Sequence, residues 1–527
     1  MNRQRIRPSV VQYTLAVLLA VNACGCASRT NGPNMASAVA DDPTQASAYV
    51  ALANALDAIF DDAKYANAYW GVRVEKLDGT ILYDRLGGKE FMPASNMKLF
   101  TTAASLCVLG ADYNYTTRLE AIGNISSDGT LEGDIVIVGS GDPSLGAWHP
   151  DADENSRIVL DEWTRAIHDA GIKRISGDIV GDGRCFAPPA YSPAWEYGDL
   201  AYWYATGCSG LAIEENAFRC VISPGAQVGE PASIEITPHT EYISVINDTT
   251  TVEDGERSNA DSTIYDAEGN VKRFVGSIAL DHDAIHERGA VWNGPRYAAF
   301  LLREELDRQG VQVDGEAINI QSLNNTVRVD NMDHNVRRVL SSHTSPPLRD
   351  LARVVNEVSH NFFADQMLRT MGLVKRDEGS FEAGAEVVRA WLTDIGTPDP
   401  DGFRMMDGSG LSRTNLVQPR QICHVLRTMR RNNDAGNAFY ASLPVGGMDG
   451  TLARRLNDPA VKGNVHAKTG YIAHARALSG YVTNADGQEL VFSMICNQYT
   501  VPTREANASQ DAACKVLALF SEQPNQN

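Results

Sequence analysis

At 527 residues the chain is too long for one ordinary hydrophobic core, so two or three domains are expected. A hydrophobic fraction of 43% with 21% charged residues excludes an intrinsically disordered chain. With 46 basic and 66 acidic side chains the net charge is −20, which argues against nucleic acid or an anionic membrane surface as main partner.

Arg3, Arg5 and Arg7 precede an apolar run from Tyr13 to Ala23, too short to span a bilayer as a mature helix. Residues 1–27 therefore have the pattern of an export signal, which implies a periplasmic or cell-envelope protein. Val21-Asn22-Ala23-Cys24 resembles a bacterial lipoprotein box, which would make Cys24 a lipid anchor; the alternative is ordinary cleavage near Ala27 or Ala38. Residues 28–45, rich in Ala, Ser, Asn and Pro, have the composition of a flexible tether. Of the nine cysteines, Cys107, Cys423, Cys496 and Cys514 lie in apolar stretches and are expected as buried thiols. Cys185, Cys208 and Cys220 cluster mid-chain, where one disulfide is expected with the third thiol unpaired. No Cys or His pair has metal-ligand spacing, so neither a metal nor another cofactor is expected.

The periodicity predicts a helix over about Thr44–Tyr65, with Val50, Leu52, Leu56, Ile59 and Phe60 inward. Tyr69–Val74 and Ile81–Tyr83, joined through Asp78-Gly79, are a hairpin signal. Phe91-Met92-Pro93-Ala94-Ser95-Asn96-Met97-Lys98 then opens a helix reaching about Leu109. In its first turn Ser95 shares a face with Lys98, beside the positive end of the helix, where an amine can take the serine's proton. Residues 116–334 change to short alternating runs punctuated by Gly, Asp and Asn (Thr117–Ile122, Ile135–Val138, Ile175–Val180, Ile234–Ile236, Tyr242–Val245, Phe274–Ile278). They form a mostly β insertion, with helices near Ser156–Ala170 and Pro295–Gln309. Helical periodicity returns after Val339: one helix from Pro347 through Val358 to Asp365, then others near Phe381–Leu392 and Gln418–Arg430. Three strands, Val465–Thr469, Arg476–Val482 and Glu489–Asn497, and a helix from Arg504 to Phe520 close the chain.

Three short motifs stand in order along the chain: Ser95-x-x-Lys98, Ser359-His360-Asn361 and Lys468-Thr469-Gly470. Each is weak alone. Together, each in suitable local structure, they resemble the penicillin-recognising serine acyltransferases, namely penicillin-binding proteins and serine β-lactamases. Gly141-Asp142-Pro143-Ser144-Leu145, Asp407-Gly408-Ser409-Gly410-Leu411 and Leu443-Pro444-Val445-Gly446-Gly447 extend the likeness. With the long insertion, the mature chain resembles the D-Ala-D-Ala carboxypeptidase family of the DacB, penicillin-binding protein 4 type (serine peptidase family S13). The resemblance implies an α/β transpeptidase-like domain, an antiparallel sheet flanked by helices, split into residues 46–115 and 335–522.

It also implies a serine-type D-Ala-D-Ala carboxypeptidase, with DD-endopeptidase action as an extension, on peptidoglycan stem peptides and with β-lactams as covalent inhibitors. Ser95 would be the nucleophile and Lys98 the general base, its pKa depressed by neighbouring Lys468 and partial desolvation. Ser359 would relay a proton to the leaving amine, and Asn361 would hold the substrate amide. Lys468 and Thr469 would bind the terminal carboxylate, and Gly470 would leave room for substrate along the strand edge. The backbone N–H groups of Ser95 and Tyr471 would form the oxyanion hole. Asp407 and Ser409 are expected to shape a loop, and His360, His466 and His474 to be neighbours only. Asp182, Glu196 and Asp199 are candidates for meeting the stem-peptide side chain. A serine β-lactamase and an inactive peptidoglycan-binding protein are the competing functions. The first needs a separate carboxylate to activate water, and no Glu-x-x-x-Asn motif of that kind is found. The second is disfavoured by the intact motifs.

Overall fold

A computed structural model describes residues 43–146, 157–267, 269–321, 336–432 and 434–523; the expected leader, Cys24 and the tether up to residue 42 lie outside them. Helix α1 (Pro43–Phe60) buries Leu52, Leu56 and Phe60, but Val50 turns outward and is 59% exposed, contrary to expectation. Strands β1 (Tyr69–Lys76) and β2 (Ile81–Arg85) form the hairpin at Asp78-Gly79, where the Asp78 carboxylate accepts the Thr80 N–H at 2.8 Å. A single 3-10 turn, Ala94–Asn96, then leads into helix α2 (Met97–Val108). No described helix is long and apolar enough to cross a membrane.

The insertion begins with β3 (Thr116–Ile125) and β4 (Thr130–Val138), followed by α3 (Arg157–Asp169), β5 (Arg174–Ile175) and β6 (Ile179–Asp182). It continues with β7 (Ala217–Ser223), β8 (Ser233–Thr237), β9 (Ser244–Val252), β10 (Asp261–Asp266), β11 (Val271–Ala279) and β12 (Ile285–Ala290). Helix α4 (Gly294–Arg308), β13 (Gln312–Val313), β14 (Ala317–Asn319) and β15 (Arg337–Thr344) complete it. One seven-stranded sheet contains β3–β6 and β13–β15, and two three-stranded sheets, β12-β7-β8 and β10-β11-β9, pack with it around Leu119, Trp163, Phe218, Phe274 and Tyr297. The single strand expected at Ile175–Val180 is broken at Gly177, where a Cβ would lie 2.2 Å from the Asp134 carboxylate, an acceptor for the Asp178 N–H. Strand β15 pairs antiparallel with β3, and the chain enters the helical region at Leu348, one residue after the expected helix start at Pro347.

There follow α5 (Leu348–Glu357), α6 (Asn361–Arg376), α7 (Phe381–Asp394), α8 (Pro419–Arg431) and α9 (Asp434–Ala441). The last elements are β16 (His466–Ile472), β17 (Ala475–Thr483), β18 (Glu489–Asn497) and α10 (Thr503–Leu519). The helix expected across Pro347–Asp365 is two helices, because Ser359 adopts a φ of +64°, which no helix continues through. The sheet β16-β17-β18-β1-β2 is antiparallel throughout and joins the two halves of the split domain.

Both faces of this sheet are covered, so its strands read as apolar runs without alternation. Trp70, Val72, Leu478, Phe492 and Met494 pack with α1 and α10, whereas Ala477, Tyr481, Val491 and Ile495 pack with α2 and the helices after α5. Each large side chain fully buried this way contributes about 2 kcal/mol of transfer free energy. The expected disulfide is not present: all seven described cysteines are free thiols. Cys208 packs in the core beneath α2 and α6 and Cys220 in the core of the insertion, so the two face different interiors.

Candidate active site

Ser95 sits on the 3-10 turn before α2, behind an Ala94 whose φ is +48°, and Lys98 stands one turn further on. Lys98 Nζ lies 2.8 Å from Ser95 Oγ, 2.7 Å from Asn361 Oδ1 and 2.5 Å from the Ser409 carbonyl oxygen. The Asn361 amide is oriented by its Nδ2 donating to the Tyr204 carbonyl at 2.8 Å. Lys98 is completely buried, and that burial pulls its pKa down to about 7 against the upward pull of Asp365 and Asp407. A neutral amine has two N–H donors and one lone pair, matching two oxygens that can only accept and one hydroxyl that can donate. Lys468, expected to depress Lys98, is instead itself held well below its ordinary pKa, by burial first and then by Lys98 and Arg476.

Behind Lys98 the Asp407–Gly410 loop closes the site. Asp407 Oδ1 accepts from Gly410 N (2.8 Å) and Asn415 Nδ2 (2.7 Å), while Oδ2 accepts from Ser412 N (2.7 Å) and Trp195 Nε1 (2.8 Å). Asp365 Oδ1 accepts from the Gly408 and Ser409 N–H groups at 2.6 and 3.0 Å, and burial with the nearby Asp407 charge raises the Asp365 pKa. These two buried carboxylates fix the Ser409 carbonyl against Lys98. Gly410, at a φ of +84°, passes so close to the Ser95 turn that a Cβ would fall 1.8 Å from the Ala94 carbonyl oxygen. Asp365, Tyr204 and the Ser409 carbonyl escaped the sequence analysis. The signal available for Ser409 was the glycine-flanked Asp-Gly-Ser-Gly run, which marks a constrained loop without saying which group of it is used.

The opposite wall is β16, an outer strand of the five-stranded sheet. The Ala467 N–H donates to the Pro444 carbonyl at 3.0 Å, away from β17. By the two-residue alternation of a strand, the N–H groups of Thr469 and Tyr471 also point outward from the sheet edge. Lys468 Nζ donates to the Thr469 carbonyl (3.1 Å) and Thr469 Oγ1 to Thr451 Oγ1 (3.0 Å). Asn96 Nδ2 donates to the Lys468 carbonyl at 3.3 Å, tying the serine's turn to this strand. The space left by Gly470 is not open for substrate as expected: a Cβ there would lie 2.7 Å from the Pro93 carbonyl oxygen and 2.9 Å from Asn96 Oδ1, so the missing side chain admits the Ser95 turn. Tyr471 is 55% exposed.

Ser359 occupies the gap between α5 and α6, and its hydroxyl makes no hydrogen bond among the described residues. His466 stacks on Tyr440 and His474 Nδ1 lies 3.0 Å from the Tyr499 carbonyl; neither contacts Ser95 or Lys98. Of the acidic residues considered in the insertion, Asp182 is bracketed by Arg184 and Glu196 pairs with Arg413. Asp199 accepts from the Tyr204 hydroxyl at 3.2 Å, engaging the side chain of the residue whose backbone carbonyl holds Asn361.

The chain is similar to known proteins over most of its length. The D-alanyl-D-alanine carboxypeptidase of Actinomadura sp. strain R39 is 32% identical over 485 residues, covering 88% of this chain and 84% of the relative. The D-alanyl-D-alanine carboxypeptidase DacB of Haemophilus influenzae is 27% identical, covering 82% and 85%. The crystal structure of penicillin binding protein 4 (dacB) from Haemophilus influenzae superposes with a TM-score of 0.75 at 25% identity, over 87% of this chain and 97% of that one. The same protein complexed with a β-lactam superposes with a TM-score of 0.69. The model of the D-Ala-D-Ala carboxypeptidase 3 (S13) family matches residues 52–519, from the first helix of the split domain to its last, and the chain belongs to that family.

Proposed function

We propose that the chain hydrolyses the D-Ala-D-Ala bond at the end of peptidoglycan stem peptides through an ester on Ser95, and that β-lactams acylate the same serine. The observation that carries this is the set of three contacts made by buried Lys98. Ser95 Oγ attacks the carbonyl carbon as its proton passes to the Lys98 lone pair. The resulting oxyanion is held by the Ser95 and Tyr471 N–H groups, the second of which lies on the outward side of β16. Collapse breaks the C–N bond, and the proton held by Lys98 passes by way of Ser359 to the leaving D-alanine amine, which returns Lys98 to its neutral form. Lys468 and Thr469 meet the terminal carboxylate, and Asn361 the substrate amide. A water molecule then attacks the ester, giving up a proton to Lys98, and Ser95 is regenerated. Such a substrate lies outside the cytoplasm, in keeping with the basic, then apolar, start of the sequence.

A β-lactamase would need a carboxylate free to activate the water that attacks the ester. The acids nearest to Lys98 do not fit that task. Asp407 has all its oxygens in hydrogen bonds, and Asp365 is fully buried behind the Gly408-Ser409 backbone. An acyl-enzyme should therefore persist. Intact-mass measurement after mixing with benzylpenicillin should show one adduct per chain, on the Ser95 peptide, lasting many minutes. The Ser95→Ala variant should show none. Rapid consumption of the drug with a fleeting adduct would favour the β-lactamase, and labelling of Ser95→Ala would remove Ser95 as the nucleophile.

A further inference from the structure

His360 lies between Ser359 and Asn361, and its ring is engaged by the insertion. His360 Nε2 is 3.0 Å from Glu215 Oε2, which also receives Arg288 Nη2 at 2.5 Å. The His360 and Glu215 side chains are 6% and 2% exposed. The Arg288 guanidinium lies 4.3 Å over the Trp203 ring, and Trp203 in turn meets the His360 ring edge-on at 5.5 Å. The next residue, Tyr204, supplies the carbonyl that orients Asn361. Burial by itself raises the Glu215 carboxyl pKa; His360 and Arg288 outweigh it and hold the pKa below its ordinary value, so they meet an anion.

The backbone that presents Glu215 is unusual. Glu214, Glu215 and Asn216 have φ values of 51°, 59° and 52°, three consecutive left-handed residues without a glycine. Each costs about 1–2 kcal/mol. The run is pinned by Glu214 N to the Leu145 carbonyl (3.1 Å), Asn216 N to the Ile213 carbonyl (2.9 Å), Val291 N to the Asn216 carbonyl (2.7 Å) and Asn216 Nδ2 to the Gly207 carbonyl (2.8 Å). Ser359, one residue before His360, is left-handed as well. Strain is thus concentrated on both sides of a single carboxylate–imidazole contact, next to the serine and asparagine of the second motif. A buried ion pair is weak evidence for stability as such, and this one ties the insertion to the residue between Ser359 and Asn361.

We infer that Glu215, supported by Arg288, is a positioning residue for acylation: by fixing the His360 ring it sets the backbone that presents Ser359 and holds the Asn361 amide against Lys98. The insertion is then a working part of the acylation site. This rests on the proposed acylation of Ser95, and the experiment separates the two. Acylation by benzylpenicillin is timed by intact mass for the full chain and for Glu215→Gln, His360→Ala, His360→Gln and the double variant Glu215→Gln/His360→Ala, at temperatures where circular dichroism is native. Glu215→Gln and His360→Ala should each slow the limiting acylation rate on the order of 10- to 100-fold, the cost of a small misplacement. The half-saturating drug concentration should hardly move. The double variant should be no slower than the slower single one, and His360→Gln, which still donates to the carboxylate, should recover part of the rate. Folded variants that acylate at the unsubstituted rate, or effects that multiply in the double variant, would overturn the inference. Should Glu215→Gln not fold, the contrast between His360→Ala and His360→Gln decides it alone: equal rates overturn it. Absence of acylation in the unsubstituted chain would instead overturn the proposed function.

Discussion

Lys98 carries the pH dependence of this site. Only its neutral form can take the Ser95 proton, and burial has brought its pKa to about 7. The acylation rate constant should therefore rise with pH and level off above roughly pH 8, following the deprotonated fraction. A profile flat through that range would remove Lys98 as the base. Lys468 makes a different prediction, because its amine is offered to a carboxylate, whose approach favours the ammonium form, and not to the reacting bond. Lys468→Ala should weaken recognition of D-Ala-D-Ala peptides by about 1.5–3 kcal/mol, the range for a hydrogen bond to a charged group. That loss is to be read in kcat/KM for a carboxypeptidase substrate; an unchanged value would exclude Lys468 from the site. These side chains were legible in the sequence because motif spacing marks side chains. The Tyr204 and Ser409 carbonyls were not, because a backbone oxygen leaves no residue-type signature. Glu215 was equally hidden: its partner His360 is more than a hundred positions away, and nothing in the polar run Glu214–Asn216 signals burial.

At the scale of elements, the site is a matter of close approach between a turn, a loop and a strand. Gly410→Ala should push the loop off the Ala94 carbonyl, destabilising the protein by about 1–3 kcal/mol or more, since overpacking and a left-handed φ act together. Thermal unfolding should show the loss, and penicillin labelling should fall further than stability does; a variant with the unsubstituted melting temperature and labelling would refute the contact. The hairpin and the closing strands were readable from turn chemistry and apolar runs. The break at Ser359 was not, since Val354, Val355 and Val358 continue a helical pattern up to it. What stops the helix is the left-handed Ser359, a tertiary demand that local periodicity cannot express.

Across the whole molecule, cohesion comes from packing, with no covalent staples among the described residues. A reducing agent should leave the melting temperature of the leaderless protein unchanged, and a drop of several degrees would reveal a disulfide absent from this structure. The insertion's general β character was visible in its punctuated alternation. Its pairing was not, because β9 and β11 lie parallel and β15 returns to β3 from far along the chain, and neither choice is encoded in turns.

The sheet also orders events in time. Strand β1 is hydrogen-bonded to β18, with Tyr69 opposite Asn497, and the third motif lies on a strand reached only through β17 and β18. A ribosome delivers the Ser95 segment long before it delivers its floor. Until synthesis is nearly finished, β1 has an unpaired edge, open to wrong partners. A nascent or truncated chain ending before Glu489 thus has the nucleophile but lacks the strand that joins β1 to the strands of the third motif. The serine is made early and armed last.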